Sequence, residues 1–407
     1  MLFRSEDISW QSVTTGSTLT AVAGNGYPID TTSNTCTITL PASASVGDQI
    51  MFTDYDRTWG TYEIIIDSNG LNYQGEPDTS TVEYSTDGQS LHIVYMDATN
   101  GWIPISDDDV TFAPSKNKGI FAYGNTGSYT AVSNLVSDQG VVATDVTGVG
   151  TVRIEPDACE YGGDKGIFGF GYTPGGVVGM TNLVTSSGVI GSDVAAVGQT
   201  RRDGAGCSYG SDKGIMGFGY GPGVKYSLTN LISSSGVVAS DTTGVGTARY
   251  GLAACEFGGD KGIFGFGLKG TSPDVGDVRV STTNLVSNAG VVATDTTGVP
   301  AGRASLAACS YGEDKGIFGF GTTGSLTGVT NLVSNAGVVA TDTTGVGTAR
   351  QFPAATQYGG DKAIFGFGTT GSVVGYTNLV TNAGVVGTDV TAVGTARSHL
   401  GACSYGP

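Results

Sequence analysis

The string Asp-Lys-Gly-Ile-Phe-Gly-Phe-Gly, or a near copy, recurs six times, with its lysine at Lys118, Lys165, Lys213, Lys261, Lys315 and Lys362. The intervals are 47, 48, 48, 54 and 47 residues. A period of about 40–50 residues marks a repeat architecture, in which no single unit can bury its apolar face alone. Each later copy follows a run of small residues such as Ala253-Ala254-Cys255. Each is succeeded by an Asn-Leu segment, a Val-Val-Ala-Thr-Asp segment and a Gly-Val-Gly-Thr-Ala-Arg connection, or variants of these.

A unit reads as four short strands. In 262–267 Ile and Phe alternate with Gly at strand spacing, and Gly258-Gly259-Asp260-Lys261 is a turn. The Asn-Leu, Val-Val and Ala-Ala-Cys runs supply the other three. With 68 Gly and 12 Pro, no segment keeps a helical period. Four-strand repeats suit either a propeller blade or a solenoid coil, and the ends of the array decide between them. Residues 118–124 have no Ala-Ala-Cys strand before them, and residues 400–405 form such a strand with no partner after it. Pairing the two closes a ring and removes the exposed edges of an open stack. The expectation is an all-β chain: a small N-terminal β-sandwich-like domain, 1–110, and a six-bladed β-propeller, 115–407, closed by its C-terminal strand.

The order arginine, small inner run, Gly-terminated strand and two outer apolar runs resembles a degenerate kelch repeat over about residues 115–407. Phe-Gly replaces the usual Gly-Gly, and Leu and Val replace the usual outer Tyr and Trp. The resemblance implies architecture more than function. Converging inner strands favour small residues, which accounts for Cys159, Cys207, Cys255, Cys309 and Cys403 at one repeat position, with Thr356 in the remaining unit. Equivalent positions in successive blades lie too far apart for disulfides. With Cys36 outside the array, six buried free thiols are expected, and the spacing provides no zinc motif.

Residues 1–110 lack the repeat and hold Trp10, Trp59 and Trp102. Alternating runs at 35–40, 62–67, 81–84 and 91–96 predict an all-β domain with hairpins, one of them turning at Asp87-Gly88. The succession Gly24-Asn25-Gly26-Tyr27-Pro28, Leu40-Pro41-Ala42, Val46-Gly47-Asp48, Asp67-Ser68-Asn69-Gly70 and Asn100-Gly101-Trp102 resembles a β module of bacteriophage tail fibres. That resemblance implies a virion protein made in the host cytoplasm and carried on the tail. It also implies a homotrimer through this domain and contacts with other virion proteins. Residues 104–114 read as a short junction.

A net charge of −17 disfavours nucleic acid, whose phosphates demand excess Lys and Arg. No run approaches the roughly 18 apolar residues of a membrane span, and 1–10 lacks the apolar core of a secretory signal. No cofactor or metal site is read, and no enzyme: His92 and His399 fall in different domains, and the repeated acids occupy one turn position, with no unique acidic pair. Arg153, Arg201, Arg249, Arg303, Arg350 and Arg397 recur once per unit. They are read as ties between blades rather than as a ring for anionic sugars. What varies between units is the loop after the Phe-Gly strand. It carries Tyr129, Tyr172, Tyr220, Lys225, Tyr226, Lys269, Asp274, Asp277, Arg279 and Tyr376, with an insertion at 268–283. Variable loops on a rigid scaffold are where binding concentrates. These residues are the candidate site for a host-surface glycan or protein. A head or baseplate decoration protein, and a glycan-processing enzyme, are the alternatives.

Overall fold

The computed structural model describes residues 8–78, 82–109, 117–270, 276–298, 301–391 and 393–406. It divides into two compact units, 1–114 and 115–407. Strands are the only regular elements among the described residues.

The first unit has nine strands: β1 Ser9–Trp10, β2 Thr18–Thr20, β3 Asn25–Ile29, β4 Cys36–Thr39, β5 Gln49–Asp54, β6 Ile64–Asp67, β7 Val82–Tyr84, β8 Gln89–Asp97 and β9 Gly101–Asp109. They form a five-stranded sheet, β1-β3-β5-β8-β9, and a four-stranded sheet, β2-β4-β6-β7. The first six strands alternate between the sheets, so neighbours within each are parallel, β3 on β5 and β4 on β6 among them. Parallel neighbours need a crossover, and the strand in the opposite sheet provides it. Alternation then turns Ile29, Ile50, Phe52, Leu91 and Ile93 of one sheet and Ile38, Ile64 and Ile66 of the other into one core with Trp59 and Trp102. The expected hairpin between 81–84 and 91–96 does not form: β7 pairs with β6, and β8 with β5 and β9. Residues 104–109, expected as junction, complete β9, where Asp107 pairs with Leu91.

The second unit contains six three-stranded antiparallel sheets. In sheet 2, Asp157–Tyr161 pairs with Lys165–Gly169, which pairs with Thr181–Val184, and sheets 3 to 6 repeat this order. Sheet 1 takes its first strand from the C-terminus: Gly401–Tyr405 lies against Lys118–Asn125 with Ile120 opposite Cys403. The first strands contact one another in sequence, and that of sheet 2 meets Gly401–Tyr405, so the sheets make a closed ring. The expected fourth strand is only an extended segment joined by isolated bridges, Val184 to Ile190 and Thr181 to Val194 in sheet 2. Its valines alternate in burial: Val141 is exposed and Val142 buried.

The repeated residues explain the ring. Cores form between sheets: Ile215 and Phe218 of sheet 3 pack with Phe264 and Val286 of sheet 4. In four sheets the Gly after the repeat lysine receives the inner cysteine of the preceding sheet, and Gly119 of sheet 1 receives Thr356. A Cβ on Gly262 would lie 2.5 Å from Cys207 Sγ, and one on Gly214 2.6 Å from Cys159 Sγ. Glycine gives the inner strands room to approach closely at these positions, and sheet 6 has the small Ala363 instead. All six cysteines are buried and unpaired.

Each repeat arginine is fully buried or nearly so. Its guanidinium covers the aromatic ring of the preceding sheet, 3.5 Å from the Phe170 centroid for Arg201 and 4.0 Å from Phe320 for Arg350. It also bonds its own sheet: Arg350 donates to Asn378 Oδ1 at 2.7 Å and to the Phe367 carbonyl at 2.7 Å. The asparagine of each Asn-Leu segment donates in turn to the Asp eleven residues on, at 2.9 Å in Asn182–Asp193 and Asn378–Asp389. Thr151 and Thr348 close the circuit onto Asp193 and Asp389. Burial pushes Asp389 upward, but the bonds from Thr348 and Asn378 outweigh it and hold the carboxyl below its ordinary value. Burial lowers Arg350 to about 10, so it stays charged at neutral pH. The arginines are ties between sheets, and none is exposed to an anionic sugar.

Candidate functional site

Two features depart from the sixfold pattern, and both lie where the arginine connection enters an inner strand. The residue after each repeat arginine bridges the residue after each Phe-Gly: Ile154 with Tyr172, Arg202 with Tyr220, Tyr250 with Leu268, Ala304 with Thr322, Gln351 with Thr369, and Ser398 with Asn125. The backbone is repeated here and the chemistry is not. Sheets 2 to 4 carry aromatic and cationic side chains, and sheets 5, 6 and 1 small or neutral ones.

The large side chains join into an arc. Tyr129 and Tyr172 meet edge to face with centroids 6.3 Å apart. The Arg202 guanidinium lies 4.9 Å from the Tyr172 ring and 5.6 Å from Tyr220, joining them through cation–π contact. Tyr220 packs on Tyr250 at 5.5 Å. Beyond it Asp277 accepts bonds of 2.7 Å from Lys225 Nζ and from the Tyr250 hydroxyl. Burial raises Asp277, but these two donors outweigh it and keep the carboxyl below its usual range.

Of the predicted residues, Tyr129, Tyr172, Tyr220, Lys225 and Asp277 thus come together. Lys225 and Asp277 neutralise each other in a mostly buried pair, with side-chain exposures of 6 % and 13 %, and so pin the 268–283 insertion instead of presenting charge. Arg279 pairs with Leu268 and the exposed Lys269 with Val278. Tyr226 is half-buried, and Tyr376, in sheet 6, is exposed. Asp274 lies outside the described residues. Arg202 and Tyr250 were missed. Their signal was the residue following each repeat arginine, which differs in every unit.

The second feature is at the ring axis. One residue further on, Glu155, Asp203, Gly251, Ser305, Phe352 and His399 all take positive φ, between 53° and 61°. Their backbones form a closed circle, each N–H donating to the carbonyl of the equivalent residue in the preceding sheet, ending with Glu155 N to His399 O at 2.8 Å. Together with Gly204 and Leu252 they line a cavity of about 80 Å³. An acidic pair unlike anything in the other units therefore exists, correcting the expectation from sequence. Arg202 donates to Glu155 at 3.0 Å, and His399 Nε2 lies 3.8 Å from Glu155 on the other side. The His399 ring stacks on Phe352 at 3.6 Å. Burial, then Asp203, raises Glu155, and burial raises Asp203. Burial, then the charge of Arg202, lowers His399 to about 4, leaving it neutral at physiological pH.

Behind the cavity wall is a further departure. Asp157 begins the inner strand of sheet 2, where the other sheets have Ala205, Ala253, Ala307, Ala354 and Gly401. Its carboxylate is buried, with the Gly204 backbone N–H and the Arg201 guanidinium as the groups that favour its charge. Arg201 Nε is 3.7 Å away. The space comes from Gly204, where other sheets have Pro or Leu: a Cβ there would lie 2.7 Å from both oxygens. Burial pushes Asp157 up to about 7 against the pull of Arg201.

The cavity has room for roughly five waters, too little for a sugar ring between paired carboxylates. Among the described residues no three His, Cys, Asp or Glu side chains converge as a metal site. No protein-family model matches the chain, and no curated protein gives a significant match.

Proposed function

We propose that residues 115–407 are a six-bladed kelch-like β-propeller, and that the chain is a bacteriophage virion protein of tail-fibre or spike type whose propeller binds a host-surface glycan or protein. The closed order of six sheets supports the architecture. The N-terminal unit, a sandwich of two mixed sheets, serves attachment and trimerisation in this reading and contacts other virion proteins. The observation that carries the binding role is the arc Tyr129–Tyr172–Arg202–Tyr220–Tyr250. Large aromatic and guanidinium groups are confined to part of one face of a scaffold that otherwise repeats. Tyr and Arg are the side chains that dominate recognition hot spots.

The test is Tyr172→Ala with Tyr220→Ala, read by adsorption of assembled particles and by binding of the purified chain to host cells. A loss of about tenfold or more is expected if each ring is worth more than ~1 kcal/mol. Unchanged binding overturns the reading. Failure of particles to assemble assigns the arc to a subunit contact, as a decoration protein requires.

A further inference from the structure

We propose that the rings of three chains meet rim to rim, each touching its two neighbours through an apolar arc on sheets 6, 1 and 2. The partner is a second copy of this chain, and the inference rests on the homotrimer proposed above for the first unit.

The rim of each sheet is the extended segment after its third strand. The first valine of that segment is exposed in every sheet, as Val141, Val189, Val237, Val291, Val338 and Val385, and belongs to the repeat. The residue that bridges back to the third strand does not. It is Val146, Val194 and Val390 in sheets 1, 2 and 6, and Thr242, Thr296 and Thr343 in sheets 3, 4 and 5, on the same backbone bridge throughout. All six are exposed, the valines by 47 %, 48 % and 49 %. Valine and threonine both suit a strand, so local structure does not ask for valine in those three sheets. Sheets 6, 1 and 2 are neighbours in the ring, and their valines make one continuous apolar arc. Exposed apolar patches of this kind mark protein–protein contacts.

Shape and charge identify what covers it. Within the arc a groove of about 170 Å³ lies between sheets 1 and 2, walled by Leu135, Val146 and Val149 on one side and by Val189 and Ile190 on the other. At the next boundary the turn of sheet 1 lies on Tyr358 of sheet 6, and the exposed Val141, Val390 and Val393 stand beside it. In 139–151, 187–200 and 383–396 the only charged residues are Asp145, Asp193 and Asp389. Each is already engaged by an asparagine and a threonine. A chain of net charge −17 repels its own copies. This uncharged arc is where two copies can touch without that cost, and it offers no charged group to a basic or acidic partner.

The extent of the arc selects the number of copies. When three parallel rings of six sheets touch one another, each meets its two neighbours at places one sheet's width apart. The boundary of sheets 6 and 1 and the boundary of sheets 1 and 2 are so spaced. Val141, Val390 and Val393 of one chain then enter the groove between sheets 1 and 2 of the next, a heterologous contact that closes after three. A twofold pair would cover one boundary and leave the other bare. Sheet 1, which faces the threefold axis in this arrangement, is also the sheet that follows the first unit in sequence. Chains joined through their first units are therefore tethered at sheet 1.

The test uses the full chain. Sedimentation gives the oligomeric state. A short bis-maleimide reads the contact in a variant carrying Gln139→Cys and Ser187→Cys, at exposed turn positions just before Val141 and Val189. The six native thiols are buried and stay out of the reaction. The proposed contact links the introduced thiols of neighbouring chains into covalent trimers, which neither single variant should yield. Adding Val146→Thr and Val390→Thr gives sheets 1 and 6 the residue that sheets 3 to 5 already carry, so the fold is kept. The yield of covalent trimer should then fall by about tenfold, since two methyl groups are lost from each contact. A sedimenting trimer that gives no covalent trimer, or a yield unmoved by the threonines, overturns the rim contact and leaves the trimer of first units standing. Covalent dimers alone overturn the threefold arrangement. A monomer at every concentration overturns both.

Discussion

Replacing Asp157 by Ala should stabilise the protein at pH 8 and leave it nearly unchanged at pH 4. In the folded chain burial raises this carboxyl to about 7 from an ordinary value of 3.8, outweighing Arg201. Below pH 3.8 it is protonated folded or unfolded and does not affect the balance. Between pH 4 and 7 the unfolded chain releases the proton and the folded chain keeps it, so folding stability falls as pH rises. Above pH 7 the loss is complete, and the gap between about 7 and 3.8 corresponds to about 4 kcal/mol. Alanine removes that pH-dependent loss. It leaves Arg201 no worse placed than the other repeat arginines, since the bond to Asn230 at 2.7 Å and the Phe170 ring remain. The space vacated over Gly204 is what Leu252 or Leu306 fills elsewhere. Adding Gly204→Leu should not stabilise further, because its Cβ would still lie 2.9 Å from the Gly217 backbone oxygen. Urea unfolding at pH 4 and pH 8 measures each term. If Asp157→Ala is destabilising by the same amount at both, the Asp157–Arg201 pair is net favourable and the reasoning fails.

Two further outcomes are expected. Deleting residues 400–407 removes the partner of Lys118–Asn125 and bares a sheet edge; the product should aggregate or be cut in the array by proteases under conditions where the full chain resists, and a soluble, resistant product would refute closure. A thiol reagent should modify few cysteines in the native protein and six after denaturation; burial raises the inner thiols, Cys309 and Cys403 among them, which further slows attack, and rapid native labelling would show that the inner strands are not packed as described.

Closure was readable in the sequence because the truncations at 118 and 405 are complementary, and a strand missing at one end names its partner at the other. The arginine ties were readable as a role, since a residue repeated in every unit belongs to the scaffold. Pairing in the first unit was not readable. Alternation in 35–40 and 62–67 marks strands and their buried faces, but says nothing of which strand lies alongside. Short polar links such as 30–35 serve a crossover between sheets as well as a hairpin. The outer Val-Val segment misled in another way. Its side-chain alternation is that of a strand, yet Asn side chains, not a continuous backbone ladder, tie it down. The axial acids are not legible in the sequence because an acid stands out against a repeat only where it recurs. Glu155 and Asp203 sit where acids do not repeat, and only the ring brings them side by side.

The pairing of Lys118 with Tyr405 also orders events in time. Sheets 2 to 6 each draw their three strands from one local stretch and can form as they emerge from the ribosome. Sheet 1 cannot, since one of its three strands waits until the opposite end of the array has been made. The entropic cost of joining such distant segments grows only slowly with their separation, but the wait leaves Lys118–Asn125 with one edge bare throughout synthesis of the array. During that interval the free edge is open to the equivalent inner strand of another nascent chain, whose sequence is nearly the same. Repetition that makes the ring easy to close also makes it easy to close with the wrong molecule. Crowding of ribosomes on one message should therefore govern the yield of monomeric rings more than the final stability does.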